Sequence, residues 1–468
     1  RIPNLLRELV GEGASNAAVV PVFSEYSHKE DKEELSKLMS LVLTLAFISL
    51  TVFTLLGIFV SPWIVKVMAP GFVADPQKYS LTVFLTQLMF PYLILIGLTA
   101  YSMGILYSLR SFTAPAFAPC LLNVALIVSV FVVVLMKGEV VYGLGVGVLA
   151  GGALQLLMQI RALAKRGMKF VFPRTFNHPG LIKIGRLLMP RMLGAGVYEL
   201  NIFVDTFCAS LASVVGLGGI SAVYYANRLI QFPMGIVGVA FASAALPTFS
   251  SLVVAKDLQK LKETVLFALE NILFVMFPCS ILLMILSAPV VKVLFQRGEF
   301  TAYSTGITST ALLFYSVGLF GFGAAKILVS VFYAFQDTKT PVKVGAVCLL
   351  INASLNFILM YPLKIGGIAL ASSIAGIANF VILFYLLDKK LAGMRGELDK
   401  FILKIFGACC VMGLTVLMLW IKLPRMPQLL KVILASLGGG ILYLMTCYLF
   451  KIPQVLRTLN FLQEKMKR

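Results

Sequence analysis

The sequence predicts an all-α membrane protein that crosses the bilayer many times. Of its 468 residues, 59% are hydrophobic and only 13% are charged, and the mean hydropathy is +0.95. These values exceed those typical of a soluble domain. Apolar runs of about 20 residues, each long enough to cross about 30 Å of hydrocarbon as a helix, recur along the chain. Helices also satisfy their own backbone hydrogen bonds in lipid.

Thirteen crossings are predicted from the apolar runs. In order, they lie near residues 3–26, 35–60, 81–108, 115–136, 141–163, 181–212, 221–253, 263–286, 303–335, 341–361, 366–387, 401–421 and 428–450. The net charge of +20 does not indicate nucleic-acid binding, because the cations are spread between the crossings rather than gathered in one basic domain.

The cations instead indicate the orientation in the membrane. If the connections alternate between the two faces, one face collects 26 Lys and Arg residues and the other collects nine. The positive-inside rule predicts that the richer face, which includes the C-terminus, is cytoplasmic. An odd number of crossings then places Arg1 outside, and we expect one further helix upstream of it that restores an even number.

The cysteines lie in or beside apolar runs and show no CxxC spacing. They occupy positions 120, 208, 279, 348, 409, 410 and 447. The sequence therefore predicts small buried hydrophobic side chains rather than disulfides or metal ligands.

The first half of the chain recurs in the second half at an almost fixed offset. Residues 226 positions apart match in five places: Pro21 and Pro247, Phe23 and Phe249, Ser24 and Ser250, Lys66 and Lys292, and Pro115 and Pro341. Gly11 and Gly238 match at 227. Prolines, a lysine and a glycine that keep one offset indicate an internal duplication.

The duplication predicts two lobes of the same orientation, because each copy would contain six crossings once the upstream helix is restored. Two parallel six-helix lobes around a central cleft form a transporter architecture that works by alternating access. The predicted division is residues 1–164 for the first lobe, 165–390 for the second, and 391–468 for an additional helix pair with a basic tail.

The first predicted helix has one polar face. On a helical wheel, one half carries Arg1, Asn4, Arg7, Glu8, Gly11, Glu12, Ser15 and Asn16, and the opposite half is apolar. A charge at mid-bilayer costs about 3 kcal/mol or more, so this face is expected to line a water-filled cleft. A helix lying on the membrane surface is the alternative. The duplication favours the cleft, since Arg1 aligns with Arg228 at an offset of 227.

A cleft that carries arginines suits an acidic cargo, because guanidinium groups match phosphate oxygens in paired hydrogen bonds. A diphosphate cannot cross hydrocarbon unaided, since removing its charges from water is costly. If the cargo also has a lipid tail, the additional helices at 401–450 could supply an apolar groove for it.

Other charged side chains lie inside predicted crossings. These are Arg191, Glu199, Asp205, Glu270 and Lys326. Glu270 is interpreted as a residue at a helix end. For Arg191 and Lys326, a place in the cleft and a place near the lipid headgroups fit the sequence equally well.

Asp205 lies well inside its crossing, and a buried carboxylate needs a cationic side chain or a bound ion as its partner. Asn352 and Asn356 are spaced i, i+4 and project from one helical face. Their carbonyl oxygens could bind a hard cation such as Na⁺. An ordinary hydrogen-bonded pair between helices is the alternative.

Several long motifs resemble those of one flippase family. They are RIPNLLRELVGEGASNAAVVPVFSEY (1–26), MAPGF (68–72), MFPYLILIGLTAYSMGIL (89–106), FTAPAFAPCLLN (112–123), YYANRLIQFPMGIVGVAFASAALPTFS (224–250) and FYAFQDTKTPVKV (332–344). Together they resemble the MurJ (MviN) lipid II flippases over essentially the whole chain. That family belongs to a superfamily with multidrug exporters and polysaccharide flippases. Its fourteen helices imply that this chain lacks the first.

The resemblance implies a monomer in the bacterial plasma membrane that exports lipid II, the undecaprenyl-diphosphate-linked disaccharide pentapeptide, to the outer leaflet without covalent chemistry. The family's cavity arginines would be Arg7 and Arg228, with Arg1 at another basic position and Glu12 in the acidic EGA motif. Further cavity candidates are Asn4, Glu8, Arg191, Lys326, and Asn227 and Gln231, which stand where some relatives carry acidic residues.

In some members of the family, the seventh, eleventh and twelfth helices form a sodium site. Its residues resemble Asp205, Asn352, Asn356, Ser372 and, through its backbone, Ile368. This chain has Asn356 where those members carry an acidic residue, which implies a weaker sodium site or none. No other cofactor is implied.

Three functions are compared. A flippase for a lipid-linked oligosaccharide is favoured by the motifs, the cationic cleft and the additional helix pair. A cation-coupled small-molecule antiporter of the same superfamily is favoured by Asp205, but it would need only twelve helices and an acidic cleft. A membrane enzyme acting on lipid-linked sugars is least favoured, because the crossings contain no HExxH motif, paired carboxylates or nucleophile and base.

Overall fold

The computed structural model consists of α-helices joined by short connections. It describes residues 12–29, 31–173, 175–391, 393–423 and 426–457, with side chains except at 12–18, 28–29, 189–195, 197–198, 239 and 243–244. No strand occurs in these ranges. The all-α class predicted from the composition is therefore confirmed.

The chain divides into two compact units, Arg1–Leu200 and Asn201–Arg468. The helices that begin in the first unit are α1 (Glu12–Lys29), α2 (Lys32–Met68), α3 (Pro76–Met89), α4 (Tyr92–Ser108), α5 (Thr113–Leu135), α6 (Val140–Lys165) and α7 (Pro179–Ser210). A 3-10 turn at Pro70–Phe72 follows α2. The last turns of α7 belong to the second unit. The lobe boundaries predicted from the sequence stay predictions.

The second unit contains the remaining helices. They are α8 (Ala212–Val215), α9 (Gly219–Pro233), a π-helical segment (Met234–Val239), α10 (Ala240–Val254), α11 (Leu258–Ile285), α12 (Ser287–Phe295), α13 (Ala302–Val317), α14 (Leu319–Ala334), α15 (Lys339–Leu363), α16 (Ile365–Leu391), α17 (Arg395–Lys422) and α18 (Gln428–Leu449).

Among the described residues, ten helices are long and apolar enough to cross a membrane, or eleven if the bent pair α13 and α14 counts as one crossing. The helix α7 is not among them, and it carries five charged side chains. The first predicted crossing lies partly outside the described residues. The number of thirteen therefore stays a prediction, whereas a multi-pass membrane protein is confirmed.

The helix bounds repeat at the offset that the sequence predicts. Helices α2 to α6 begin at residues 32, 76, 92, 113 and 140, and their counterparts begin at 258, 302, 319, 339 and 365, which is 225 to 227 residues later. The matched phenylalanines Phe23 and Phe249 are both fully buried. One copy differs in detail, because the continuous α2 corresponds to two helices, α11 and α12, divided at Leu286.

Three predicted crossings are not single helices, and the one at 221–253 consists of α9, the π-helical segment and α10. The crossing at 81–108 is divided into α3 and α4 at Phe90 and Pro91, where the proline cannot donate a backbone hydrogen bond. The crossing at 303–335 is divided into α13 and α14, which are bent by 47° around Gly318. The sequence predicted these crossings without their breaks, and the break at Gly318 depends on side chains from other helices that no local pattern reveals.

The additional helix pair packs on the second unit. Helix α17 contacts α11 and α18, and the hydroxyl of Tyr443 in α18 donates a 2.7 Å hydrogen bond to the carbonyl oxygen of Phe274 in α11. Cys409 and Cys447 are buried in this packing. A buried hydroxyl with a backbone partner fixes the position of the pair against the unit.

All seven cysteines are free, as the lack of CxxC spacing predicts. The prediction that all are buried is wrong for Cys120 and Cys410, whose side chains are exposed. A thiol behaves as a small hydrophobic group, so an outward position on a membrane-spanning helix costs little.

The segment between α6 and α7 is held against α2. Backbone N–H groups of Lys169 and Val171 donate to the hydroxyls of Ser36 and Ser40 at 3.3 and 2.9 Å. At its end, Nε2 of His178 lies 3.2 Å from a carboxylate oxygen of Glu34 in α2, and Nδ1 accepts from the N–H of Gly180 at 3.0 Å. The ring therefore carries its proton on Nε2 when it is neutral.

The start of α15 is fixed by Asp337. Its carboxylate accepts from the hydroxyl of Thr340 at 2.7 Å and from the N–H of the same residue at 3.0 Å. The hydrogen bond from the hydroxyl lowers the pKa of Asp337 from its usual value because it stabilises the charged form. The chain thus enters α15 with its first orphan amide satisfied.

Helices α15 and α16 form a hairpin with almost no connection. Lys364 alone separates them, with φ at +52°. A Cβ on Gly367 would lie 2.1 Å from the carbonyl oxygen of Leu359 and 2.3 Å from its carbon. Only glycine permits this approach of two backbones, which brings the middle of α15 beside the first turns of α16.

The variant Gly367→Ala is expected to lower the melting temperature of the purified protein, because overpacking against backbone costs about 1–3 kcal/mol. The matched control is Gly306→Ala in α13, where nothing lies within 4 Å of an added Cβ and alanine favours the helix by about 1 kcal/mol. Thermal melting in detergent compares the two. Equal melting temperatures would contradict the backbone contact.

Candidate functional site

A buried polar cluster lies among α7, α15 and α16, entirely within the second unit. Its side chains are Asp205, Asn352, Asn356 and Ser372, of which the two asparagines are fully buried and the others 8% and 6% exposed. The i, i+4 spacing places both asparagines on one face of α15. The short hairpin described above brings Ser372 of α16 opposite that face.

The cluster is joined by hydrogen bonds. Nδ2 of Asn356 donates to Oδ1 of Asp205 at 2.8 Å and to Oδ1 of Asn352 at 2.9 Å. The hydroxyl of Ser372 donates to Oδ2 of Asp205 at 2.9 Å. Both carboxylate oxygens of Asp205 are thus partners of neutral donors, which stabilise its charged form in an apolar unit.

The amide of Asn352 can take two orientations, and in the second its nitrogen donates to two oxygens while its oxygen accepts from Ser372. Turned one way, its oxygen accepts from Asn356 but faces the side-chain oxygens of Asp205 and Asn201. Turned the other way, its nitrogen donates to those two oxygens at 3.2 and 3.1 Å but lies 2.9 Å from Nδ2 of Asn356, which is also a donor. The choice between orientations rests on these contacts alone.

The cluster gathers oxygens of the kind that small hard cations bind. Carboxylate and amide oxygens are the ligands that such cations prefer, and a cation among oxygens removes the repulsion between them. The oxygen Oδ1 of Asn356 is also buried without a hydrogen-bond partner, so it is available as a ligand. Ile368 is fully buried and lies one turn before Ser372 on α16.

The first copy of the repeat has no such cluster. At the offset of 226 residues, Asn352, Asn356 and Ser372 correspond to Leu126, Val130 and Val146, which lie on α5 and α6. The same helix hairpin is therefore built with apolar side chains in one copy and polar ones in the other. The fold does not require the polar set, which points to a role in function.

A second candidate region surrounds Arg228 on α9. Its guanidinium is exposed and donates to the hydroxyl of Tyr224 at 3.3 and 3.4 Å and to the side-chain oxygen of Gln231 at 3.3 Å. It also lies 5.4 Å from the centre of the Tyr224 ring. Tyr224 lies one turn before Arg228 and Gln231 one turn after it, and together they hold the guanidinium group extended. Two of the five N–H donors of the guanidinium are left for a further acceptor.

Arg228 lies within a helix that crosses the membrane, so its exposed charge must meet water or headgroups rather than acyl chains. The π-helical segment Met234–Val239 follows one turn later. Segments of this kind occur often at functional sites because they re-aim the side chains around them.

The other predicted site residues are placed as follows. Outside the described residues lie Arg1, Asn4, Arg7 and Glu8. The structure describes the backbone but not the side chain of Glu12 in α1 and of Arg191 in α7. On α9, Asn227 is half-buried and Gln231 is exposed, and Lys326 is exposed on α14. The convergence of the cationic residues on one cleft stays a prediction. The cluster around Asp205 is brought together as described, and its role as an ion site also stays a prediction.

Asn201 is a candidate that the sequence reasoning missed. It precedes Asp205 by four residues on α7, and its oxygen meets the Asn352 amide at 3.1 Å. The i, i+4 spacing of Asn201 and Asp205 repeats that of the asparagine pair on α15 and could have revealed it. Attention to charged residues alone passed over this signal.

Comparison with known proteins identifies relatives over most of the chain. The family model described as lipid II flippase MurJ matches residues 1–436. A probable lipid II flippase MurJ of Buchnera aphidicola subsp. Acyrthosiphon pisum is 35% identical over 419 residues, which cover 88% of this chain and 80% of that protein. The lipid II flippase MurJ of Burkholderia cenocepacia is 34% identical, with 83% and 76% covered.

Solved structures show the same fold. A lipid II flippase MurJ in an inward closed conformation aligns with a TM-score of 0.80 and 26% identity over 96% of this chain and 90% of that one. An inward-facing multidrug resistance transporter of the MATE family, from the MOP superfamily, aligns with a TM-score of 0.74 but only 14% identity over 84% and 89%. The second likeness concerns the fold alone.

The cluster should behave as one network in a double-mutant cycle. Asn352→Ala and Asn356→Ala are each expected to lower the melting temperature, and the double variant by less than the sum, because contacting residues couple by about 0.5–3 kcal/mol. The control pairs Asn352→Ala with Thr415→Ala, whose hydroxyl bonds only to its own helix at Val411. Additive effects in both pairs would contradict the network.

Proposed function

The chain belongs to the lipid II flippase MurJ family, and we propose that it moves lipid II from the cytoplasmic to the outer leaflet of the bacterial plasma membrane by alternating access. The observation that carries the proposal is the family match over residues 1–436, together with relatives at 34–35% identity. The predicted orientation, with a cytoplasmic C-terminus, belongs to the same proposal and rests on the distribution of Lys and Arg.

Arg228 supports this function chemically. A diphosphate carries several negatively charged oxygens. A planar guanidinium group can donate two parallel hydrogen bonds to a pair of them. The guanidinium of Arg228 is exposed within a crossing and is held extended by Tyr224 and Gln231, so little side-chain freedom is lost when it binds. We propose that it binds the diphosphate of the cargo in the cationic cavity that the sequence predicts, with Arg7 and Arg1.

The same chemistry gives the transport a direction. One elementary charge moved across 100 mV is worth about 2.3 kcal/mol, and the inside of a bacterium is negative. Outward movement of an anionic headgroup is therefore favourable, while the return of the empty carrier gains nothing from this charge. A cation bound from outside would drive that return.

We propose Na⁺ as that cation, held by the polar cluster of the second unit. Asp205 would supply the charged oxygen, and Asn352, Asn356, Ser372 and the carbonyl of Ile368 the neutral ones. Na⁺ would contribute the positive charge that makes the return step respond to the sodium gradient. The buried oxygen of Asn356 without a hydrogen-bond partner supports this assignment.

Asn201 would complete the ligand set in this chain. Where some relatives carry two carboxylates, this chain has Asp205 alone with Asn356, and an additional amide oxygen from α7 offsets part of the lost attraction. A site with one carboxylate and one Na⁺ is neutral overall, which lowers the cost of burying it.

A cation-coupled exporter of small molecules is the second candidate, and the polar cluster is the observation that favours it. The exposed Arg228 and the helix pair α17 and α18, packed on α11, both argue for an acidic cargo with a lipid tail instead.

Replacing Arg228 tests the cargo site. Arg228→Ala is expected to lower lipid II translocation about 10- to 100-fold, because hydrogen bonds to charged groups contribute about 1.5–3 kcal/mol. Arg228→Lys should retain part of the activity, since it keeps the charge but not the planar fork. The measurement is complementation of a flippase-depleted bacterium, with cleavage of outer-leaflet lipid II by an added enzyme as the quantitative readout.

The matched control is Arg297→Ala, an exposed arginine between α12 and α13. It is expected to translocate at the wild-type rate, and all variants should melt as the wild type does. Full activity of Arg228→Ala would remove this residue from the cargo site.

Sodium should raise the melting temperature of the purified protein relative to potassium at the same ionic strength. At ten times the dissociation constant, a ligand that binds only the folded state adds about 1.4 kcal/mol. Asp205→Asn, which keeps the size but removes the charge, should abolish the difference, whereas Asn356→Asp should reach it at lower Na⁺ because it adds a carboxylate. Identical melting of the wild type in both salts would refute the sodium site.

A further inference from the structure

The break between α13 and α14 interrupts the regular helical hydrogen bonds around Gly318. The N–H of Gly318 bonds to Tyr315 at 3.1 Å instead of to Phe314, its partner in a regular helix. The two helices then continue at 47° to each other. Carbonyl oxygens freed in this way inside hydrocarbon must find other donors, since an unsatisfied one costs several kcal/mol.

Two serine hydroxyls from neighbouring helices fill this need. Ser373 of α16 donates to Phe314 at 2.7 Å and also reaches Tyr315 at 3.2 Å. Ser280 of α11 donates to Ser316 through a short hydrogen bond. The bend is therefore stabilised from two sides by the hydroxyl groups of Ser373 and Ser280.

The break and α16 are packed so closely that an added Cβ does not fit between them. A Cβ on Gly318 would lie 2.6 Å from Cα of Ser373, and a Cβ on Gly376 would lie 2.1 Å from the ring of Phe322 in α14. One turn of α16 thus lies directly against the backbone of the bend. A shift of α16 by a few tenths of an ångström must move the bend or strain the contact.

Ser372, the residue that precedes Ser373 on α16, belongs to the polar cluster. Ser372 donates to Asp205 at 2.9 Å, and Ser373 donates to the broken helix, so consecutive residues of α16 hold the candidate ion site and the bend. A cation bound between Asp205 and Ser372 would draw their oxygens together, and Ser372 would pass this displacement to Ser373 in the same turn of α16.

We propose that Ser373 is a positioning residue that couples cation binding at the Asp205 cluster to the bend between α13 and α14. The inference rests on the proposed sodium site and adds the element that responds to it. In the first copy, Ser373 corresponds to Gly147 and Ser280 to Thr54, and that break is made by Pro91. The described residues of the second copy combine a polar cluster with hydrogen bonds from serines to the bend, as coupling requires.

The experiment measures the bend with two spin labels on cysteines placed at Gly306 in α13 and Tyr333 in α14, in a protein whose native cysteines are replaced. An added side chain at Gly306 meets no atom within 4 Å, and Tyr333 is 47% exposed. Pulsed dipolar spectroscopy in lipid nanodiscs gives the distance in Na⁺ and in K⁺. Melting in the same salts reports binding separately.

Sodium is expected to shift the distance in the labelled parent. Ser373→Ala should lose this shift while its melting temperature still rises with Na⁺, since all proposed ligands remain. Ser280→Ala is the matched control, because it removes a hydroxyl from the same break but has no link to the cluster, and it should keep the shift.

Three results would overturn the coupling while the sodium site stands. They are a parent that is stabilised by Na⁺ without a change of distance, a full shift in Ser373→Ala, or an equal loss in Ser280→Ala. If the parent is not stabilised by Na⁺ at all, the sodium site fails, and the coupling fails with it.

Discussion

A polar group buried in the hydrocarbon of a membrane must find its partner within the protein, and the second unit depends on this constraint. Asp205, with its two oxygens bonded to Asn356 and Ser372, satisfies it at the cluster. The carbonyls at Gly318 satisfy it through Ser373 and Ser280. Helix α16 supplies a donor to each of them through the consecutive residues Ser372 and Ser373.

The internal repeat separates what the fold needs from what the function needs. Both copies build the same series of helices with starts 225 to 227 residues apart. The first copy packs its hairpin with Leu126 and Val146 where the second places Asn352 and Ser372. Since apolar packing makes the same hairpin without the cost of burying a carboxylate, the fold of the hairpin does not depend on the polar set.

The sequence predicts well what depends on composition and spacing along one helix. The all-α class follows from the apolar runs, and the i, i+4 spacing placed Asn352 and Asn356 on one face. The break at Gly318 was not predicted, because a single glycine in an apolar run is a weak signal and the decisive donors come from helices far along the chain. Asn201 was passed over because the crossings were searched for charged side chains, although Asn201 and Asp205 have the same i, i+4 spacing as Asn352 and Asn356.

The free energy of the two serine hydrogen bonds at the bend suits a conformational change that is driven by a cation site with a single carboxylate. A cation shifts a conformational equilibrium only by its differential affinity for the two states, and a change from 1:99 to 99:1 requires about 5.5 kcal/mol. A site with one carboxylate gives less than one with two, so the bent and straightened states must lie close in free energy. Hydrogen bonds from hydroxyl to carbonyl contribute about 0.5–1.5 kcal/mol each. Two serines can therefore hold the bend without locking it, whereas a proline such as Pro91 in the first copy would make its break permanent.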